Sequence, residues 1–523
     1  MARASPTRTA KKLVLVVIDA MKPAMLERAV AAGRAPAMAQ IMQRGDYVPE
    51  CVAAFPSVTP VCAATITTGV GPDEHHIPSM NWYHREEGRY IEYGSSFSAS
   101  RQFGVLRSLT DTVYRMNSEH LSPDVLTVFE SLDDAAIRTA GTTYLIYRGR
   151  HEHEVAQESA LSRIVTSTLI RRSIKGPMEL FYSDLYASRR TGCRGQLGLP
   201  GARDQHTGCV GSYLTEHDLF DFMLFSLPDN DAYSHRNGPH AQVTSIAAAD
   251  RQIERLMHAG GGPEQFLDEH AVVVCSDHSQ APVEASIRLD QAFADFAVAT
   301  PTARVAGKGG EVALSPAQRS AMVYALDPDD RDEVIARSLK ALDPVEGVDL
   351  AMWLDGEEAV VRGHRGELRF APGGELADAR GESWHVEGDL AVLRAEVQDG
   401  RFLTTEYPDA LTRAWSALHC DNAGEILLSA APGYEFVDWG GADHVGGGSH
   451  GSLHRSDSFA SLLWCGIDGK SGGGAGRAPG AGAGRRARAM SRADRDQWSL
   501  RDIAPMIRGH FGVTAASAGK ATG

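Results

Sequence analysis

Three short apolar runs in this chain each end at acidic side chains. Near-continuous apolar sequence is typical of strands that are buried on both faces of a sheet. Because ligands of open α/β sheets bind beyond the carboxyl ends of the strands, we expect the acids to meet at one sheet edge. The runs, each with the acids that follow it, are 13–18 with Asp19, 222–227 with Asp229 and Asp231, and 272–275 with Asp277.

Histidines lie close to two of these acids. His278 follows Asp277 directly, and His235 comes four residues after Asp231. Each acid taken alone is also compatible with a helix cap or a turn. However, buried carboxylates without a positive partner are costly, and mixed His and Asp ligands favour zinc or a similar divalent ion. The coincidence therefore predicts a metal site.

Composition excludes several classes of protein. A formal net charge of −15 does not provide the basic surface that binding to nucleic acid polymers requires. The apolar segment near the N-terminus stops at Asp19, which is too short for a signal peptide or a membrane span. Seven scattered cysteines without a CxxC pair are typical of mostly reduced thiols. We therefore expect a cytoplasmic protein without a membrane anchor, and its oligomeric state stays open.

The order of strand and helix patterns predicts an α/β fold with a parallel sheet covered by helices. After an insertion with short strands and charged turns, we expect the main sheet to resume at 425–429. The predicted parts are a catalytic domain over 11–300 and 411–515, with 84–215 partly a cap insertion, an inserted α+β subdomain over 301–410, and a flexible Gly/Ala/Arg loop over 469–488.

Six motifs occur in a fixed order along the chain. They are a strand followed by Asp19, a Phe-Pro-Ser-x-Thr turn with a helix and Thr-Gly (55–69), Pro-Asp-Glu-His-His-Ile with Asn81-Trp82-Tyr83 after it (72–83), Pro-Asp with a later His-x-x-Gly-Pro (228–239), Ser-Asp-His (276–278) and Gly-x-His-Gly (448–451). In this order they resemble the alkaline phosphatase superfamily, and most of all its type I phosphodiesterase/nucleotide pyrophosphatase branch. The resemblance covers roughly 11–90, 218–285 and 415–515.

This resemblance implies a three-layer α/β/α alkaline-phosphatase-like fold and a metal-dependent hydrolase of phosphate esters. It implies two divalent metal ions, for which zinc is expected, and a small phosphorylated substrate. Thr59 is the implied nucleophile, through a phosphothreonine intermediate. The implied ligands are Asp19, Thr59, Asp277 and His278 for one ion, and Asp231, His235 and His450 for the other.

Several of these residues have a competitor nearby in the sequence. Local sequence alone also allows Thr59 to be a plain helix N-cap, since a proline follows it. The family spacing of four residues between acid and histidine favours Asp231. The competing assignments are Asp229 in place of Asp231, Ser57 in place of Thr59, and His444 or His454 in place of His450.

One departure from the family pattern lies three residues after the nucleophile. Nucleotide-pyrophosphatase-like members have asparagine there, whereas this chain has Cys62, whose thiol is a weak donor. The change weakens the case for nucleotide diesters as the natural substrate. Together with Cys62, the candidates for substrate binding are Asn81, which offers an amide, and Trp82, which offers a stacking wall or is simply a core residue.

Other functions stay open on the same residues. A phosphomonoesterase or phosphonate hydrolase would use the same two-metal site, with arginines of the insertion balancing the extra charge. A metal-binding protein without turnover is disfavoured because a hydroxyl accompanies the ligands. The Gly-x-Ser-x-Gly match at 447–451 lacks the preceding strand that a serine hydrolase needs. The sulfatase branch needs a C/S-x-P-x-R context that is absent around Thr59.

Overall fold

The computed structural model describes residues 10–154, 173–183, 185–195, 199, 201–301, 310–467 and 498–514. The loop predicted at 469–488 lies outside these residues. Within them, regular elements run from the strand Lys12–Ile18 to the helix Ile503–His510.

An eight-stranded sheet joins the first and last parts of the described chain. The strand Lys12–Ile18 lies between two parallel neighbours, and all of its residues from Leu13 onward are buried. The strand Phe459–Cys465 runs antiparallel to both of its neighbours, and Tyr186–Ala187 at the opposite edge runs antiparallel to Glu179–Tyr182, so the sheet is mixed and not wholly parallel as predicted. In spatial order the strands are Asp46–Val52, Phe459–Cys465, His270–Cys275, Lys12–Ile18, Phe222–Leu227, Thr139–Thr142, Glu179–Tyr182 and Tyr186–Ala187.

Alternate side chains of the first strand pack on opposite faces of this sheet. Leu13 and Val17 belong to one hydrophobic cluster, which includes the helix Thr59–Thr68. Val14 and Val16 belong to a second cluster, which contains other helices. Since successive side chains of a strand point to opposite faces, the two clusters are the two sides of the sheet. This confirms the predicted three-layer α/β/α arrangement.

Several helices carry proline in their first turn, where the missing N–H has no intrahelical partner to lose. A π-helix covers Asp111–His120, and short 3₁₀ turns cover Pro239–Ala241, Leu390–Leu393 and Leu500–Asp502. The α-helices are Pro23–Ala31, Pro36–Arg44, Thr59–Thr68, Pro72–His75, Phe97–Phe103, Val105–Thr110, Val128–Asp134, Arg203–Glu216, Asp229–Asn237, Val243–Ala259, Pro263–Glu269, Leu289–Ala292, Arg331–Leu342, Ala410–Leu418, Arg455–Ser458 and Ile503–His510.

A nine-stranded sheet forms a second layered unit. The strand predicted at 425–429 pairs here with two strands of the insertion, so the prediction that it resumes the main sheet is wrong. The division into domains stays a prediction. In spatial order the strands are Val312–Ala317, Ser320–Ala325, Ile426–Ala430, Val348–Asp355, Glu358–Gly363, Gly366–Ala377, Arg401–Thr404 and Ala395–Gln398, with Ser383–Gly388 paired to Gly366–Ala377.

Three small sheets complete the described strands. One of them pairs the segment after His278 with the segment before His450, through the partners Ala281 and Ser449. This pairing brings two distant histidines to the same region. The small sheets are Gly433–Phe436 with Ala281–Ile287 and Gly448–Ser449, Asn81–His84 with Arg89–Glu92, and His151–His153 with Ile174–Gly176.

Two of the seven cysteines form a disulfide, which joins Cys193 to Cys209 in the helix Arg203–Glu216. For this pair the prediction of reduced thiols is wrong, whereas the other five cysteines are free and buried. The cysteine pattern therefore no longer argues for a reducing compartment. Among the described helices, none is both long enough and apolar enough to cross a membrane.

Candidate metal centre and active site

Three aspartates converge at the carboxyl edge of the main sheet. Asp19 directly follows the strand Lys12–Ile18. Asp277 comes two residues after the adjacent parallel strand His270–Cys275. Asp231 lies in the first turn of the helix that follows the third of these neighbouring strands. The strands alone therefore bring the three carboxylates together, as the apolar runs predict.

One group of possible ligands consists of Asp19, Asp277 and His278, whose donor atoms lie within 4.8 Å of one another. The Nε2 atom of His278 is 3.7 Å from Oδ1 of Asp19 and 3.5 Å from Oδ2 of Asp277. The hydroxyl of Thr59 is 3.3 Å from the same Nε2. All four side chains thus face one point.

The second group consists of Asp231, His235 and His450. The carboxylate of Asp231 lies 3.2 Å from Nε2 of His235 and 3.6 Å from Nε2 of His450. The rings of His450 and His278 stack with their centroids 3.7 Å apart. The two groups are therefore direct neighbours.

Backbone carbonyls fix the orientation of the three histidine rings. A carbonyl oxygen can only accept, so each Nδ1 carries the proton and each Nε2 presents its lone pair to the site. This is the tautomer that a metal ligand requires. The Nδ1 donors and their acceptors are His278 with Ser279 at 3.1 Å, His235 with Gly448 at 2.7 Å, and His450 with Ser57 at 2.9 Å.

The electrostatics of the site fit bound cations. Oδ1 of Asp19 and Nε2 of His450 are buried and have no hydrogen-bond partner among the described residues. Burial raises the pKa of Asp19, and the charges of Asp277 and Asp231 raise it further. Burial and the neighbouring His278 hold the pKa of His450 well below its ordinary value, so this ligand is neutral. Crowded carboxylates beside neutral imidazoles suit divalent ions.

Thr59 does not cap its helix. The helix begins at Thr59 itself, Val58 is the N-cap residue, and no side chain caps this end, so the alternative that Thr59 is a plain N-cap does not hold. Its hydroxyl instead faces His278. The competing Ser57 is fully buried, and its hydroxyl is bonded to the carbonyl of Ser452 at 2.9 Å. Of the two hydroxyls, only that of Thr59 faces the ligands.

The competing acid and histidines have other partners. Asp229 accepts from the backbone of Asp204, which agrees with its alternative role in capping a turn. The ring of His444 stacks on the ring of His235 with the two centroids 4.1 Å apart, and so supports the position of His235 as a candidate ligand. The side-chain partners are Arg203 for Asp229 at 2.8 Å, Glu435 for His444 at 3.1 Å, and Glu406 for His454 at 2.9 Å.

The three candidates for substrate binding have their described contacts in the protein interior. Cys62 is fully buried and hydrogen-bonds with the backbone of Ala54. The charge of Asp277 adds to burial in raising the pKa of Cys62, so the thiol lies near the ligands. The other two make core contacts, Asn81 with the carbonyl of Pro316 at 2.6 Å and Trp82 with the hydroxyl of Tyr93 at 3.1 Å.

Two supporting residues are not apparent from the sequence patterns. Gln280 donates to Oδ1 of Asp231 at 2.5 Å and so orients a ligand. Lys22 is partly buried and donates to the carbonyls of Gln280 at 3.1 Å and Ser456 at 2.9 Å. The only available signal is that each lies within three residues of a ligand in sequence.

The second sheet contributes Arg319, a fully buried residue in the turn between two of its strands. Its guanidinium lies 2.7 Å from the carboxylate of Asp457, and its backbone N–H donates to the carbonyl of His450 at 2.8 Å. Asp457 in turn accepts from the backbone of Ser452 at 2.8 Å. The second sheet therefore holds the loop that carries His450.

We expect Arg319→Met to lower the free energy of unfolding by about 3–5 kcal/mol, because it leaves the buried carboxylate of Asp457 without its partner. Urea denaturation followed by circular dichroism measures this change. The matched control is Arg288→Met, since Arg288 forms an exposed ion pair with Asp290 and should stay near wild type. Equal losses in the two variants would contradict the role given to Arg319.

Comparison with known proteins identifies one matching family model and several solved structures with a similar fold. The family model for Type I phosphodiesterase / nucleotide pyrophosphatase matches residues 13–453. The fold is similar to murine ectonucleotide pyrophosphatase/phosphodiesterase 5, with a TM-score of 0.56, 12% sequence identity, and 97% of this chain and 96% of that chain covered. The human counterpart gives the same values. An inactive threonine-to-alanine variant of the murine protein in complex with AMP gives a TM-score of 0.55 at 12% identity, with the same coverage of 97% and 96%. No curated protein matches the chain.

Proposed function

Because this chain belongs to the type I phosphodiesterase/nucleotide pyrophosphatase family, we propose that it hydrolyses phosphodiester or pyrophosphate bonds through Thr59. The observation that carries this proposal is the Thr59 hydroxyl, 3.3 Å from Nε2 of His278 and beside two adjoining groups of possible metal ligands. The inactive threonine-to-alanine variant of the murine relative, solved with AMP, supports a threonine nucleophile and a small phosphorylated substrate.

The ligand groups suit two zinc ions. Asp and His donors in groups of three leave an open position for substrate, as catalytic zinc sites do. Bound there, the ions would favour the alkoxide of Thr59 and stabilise the leaving oxygen. The ligands in this proposal are Asp19, Asp277 and His278, together with Thr59, for one ion, and Asp231, His235 and His450 for the other.

The chain's own groups then account for the reaction. Oγ1 of Thr59 gives up its proton and forms a bond to phosphorus while the bond to the leaving oxygen breaks; the leaving oxygen takes up a proton, and a phosphothreonine remains. Backbone N–H groups at the start of the Thr59 helix, together with its positive dipole end, bind the non-bridging oxygens. Water then displaces Thr59, which restores the hydroxyl and releases the second product. The overall reaction consumes one water and needs no further reactant.

Assays of the purified chain with bis-p-nitrophenyl phosphate and p-nitrophenyl phosphate test this function. We expect faster turnover of the diester, loss of activity with a chelator, and recovery when zinc is added back. Faster turnover of the monoester would favour the phosphomonoesterase instead. A protein that binds zinc but cleaves neither ester would be a metal-binding protein without turnover.

A further inference from the structure

A buried tyrosine hydroxyl without a partner lies at the same sheet edge as the candidate ligands. Tyr144 comes two residues after the strand Thr139–Thr142, which runs parallel to Phe222–Leu227. The side chain is 6% exposed, and its hydroxyl is buried with no hydrogen-bond partner in the described part of the chain. Buried polar groups are normally paired, so this hydroxyl is free to bond to a partner that is not protein, and its position decides which.

The surroundings of Tyr144 connect it to the reaction centre. One strand separates its own strand from the strand of Asp19, which sets the two backbones about 10 Å apart at the carboxyl edge. Tyr144 also packs in the same hydrophobic cluster as Cys62, on the side of the sheet that carries the Thr59 helix. The charges of Asp277 and Asp19 add to burial in raising the pKa of Tyr144, which agrees with a position beside these carboxylates.

A donor is needed at this position because the neighbouring thiol does not serve as one. Cys62 already hydrogen-bonds with the backbone of Ala54, and a thiol is a weak donor. A tyrosine hydroxyl is a good donor, and its raised pKa keeps it protonated at neutral pH. A preorganised donor that faces developing negative charge stabilises a transition state strongly.

We propose that Tyr144 is a catalytic residue whose hydroxyl donates a hydrogen bond to a non-bridging oxygen of the phosphoryl group that Thr59 attacks. The inference rests on the proposed function, because it names a donor for the substrate of that site. The hydrogen bond shortens and strengthens as negative charge builds on the oxygen. Its loss therefore lowers kcat more than it raises KM.

The test compares Tyr144→Phe with Tyr186→Phe. Tyr186 also has a buried hydroxyl without a partner among the described residues, but it lies in the last strand of the sheet, in a different cluster. Both changes remove one oxygen and keep the ring. For Tyr144→Phe we expect kcat for the phosphodiester to fall about 100-fold, with KM changed little. Tyr186→Phe should match wild type.

Binding of orthovanadate to the zinc-loaded proteins, measured by titration calorimetry, separates this inference from the proposed function. We expect Tyr144→Phe to bind vanadate about tenfold more weakly than wild type and Tyr186→Phe. Equal vanadate binding and turnover in Tyr144→Phe and wild type would overturn the inference, and so would a Tyr144→Phe chain that fails to fold. If vanadate binding depends on Tyr144 but no ester is cleaved, the hydrogen bond from Tyr144 to the bound oxyanion stands, whereas its catalytic role and the proposed function fail. A wild type that does not bind vanadate overturns both.

Discussion

Thr59→Ala is expected to lower kcat/KM for phosphodiesters by at least about 10³-fold while the protein keeps its bound metal. The change removes the hydroxyl that faces His278 but leaves the six His and Asp donors of the two groups in place. Steady-state kinetics give the activity, and elemental analysis of the same samples gives the metal content. Loss of turnover without loss of metal is the signature of a missing nucleophile.

Two control variants make this result specific. Thr59→Ser keeps a hydroxyl at the same place and should retain a measurable part of the activity. Thr67→Ala makes the same chemical change on the same helix, where the hydroxyl donates to the carbonyl of Ala63 at 2.8 Å, so it should stay active. Full turnover by metal-loaded Thr59→Ala would mean that water attacks phosphorus directly, and the proposed phosphothreonine intermediate would be wrong.

The central strands could be predicted from sequence because a strand buried on both faces must be apolar at every position. The runs at 13–18 and 272–275 therefore mark strands within one or two residues of their observed ends. The strand at 426–430 is also fully buried and mostly apolar, but its composition does not say which sheet it joins. Sheet membership depends on pairing with residues 73 to 109 positions away, which no local pattern records.

The candidate site shows the same division between local and distant information. Its proposed ligands stand in short motifs at strand ends, so the sequence already marks them. Gln280 and Arg319 follow no motif, because Gln280 reaches Asp231 and Arg319 reaches the backbone of His450 through tertiary packing. The role proposed for Tyr144 has no sequence signal either. The pairing of Cys193 with Cys209 was equally hidden, since the spacing of scattered cysteines does not reveal their connections.

The second large effect concerns the charge of the site without metal. Burial raises the pKa of both Asp19 and Asp277 in the folded protein, and repulsion adds to it, from Asp277 and Asp231 on Asp19 and from Asp231 on Asp277. A carboxyl whose pKa is raised on folding destabilises the protein above its folded pKa, and this cost disappears as the pH falls below the ordinary value of about 3.9. At neutral pH these charged carboxylates therefore destabilise the metal-free fold, and bound cations remove this destabilisation.

Asp19→Asn should accordingly raise the melting temperature of the chelator-treated protein at pH 7 and remove most of the stabilisation by zinc. For wild type, zinc at 100 times its dissociation constant adds about 2.7 kcal/mol, which thermal denaturation with and without zinc detects. The control is Asp229→Asn, because Asp229 is neutralised by Arg203 and is not in either ligand group. This variant should lose stability without metal and keep its response to zinc. An Asp19→Asn protein that is destabilised and still responds fully to zinc would contradict the assignment of Asp19 as a ligand.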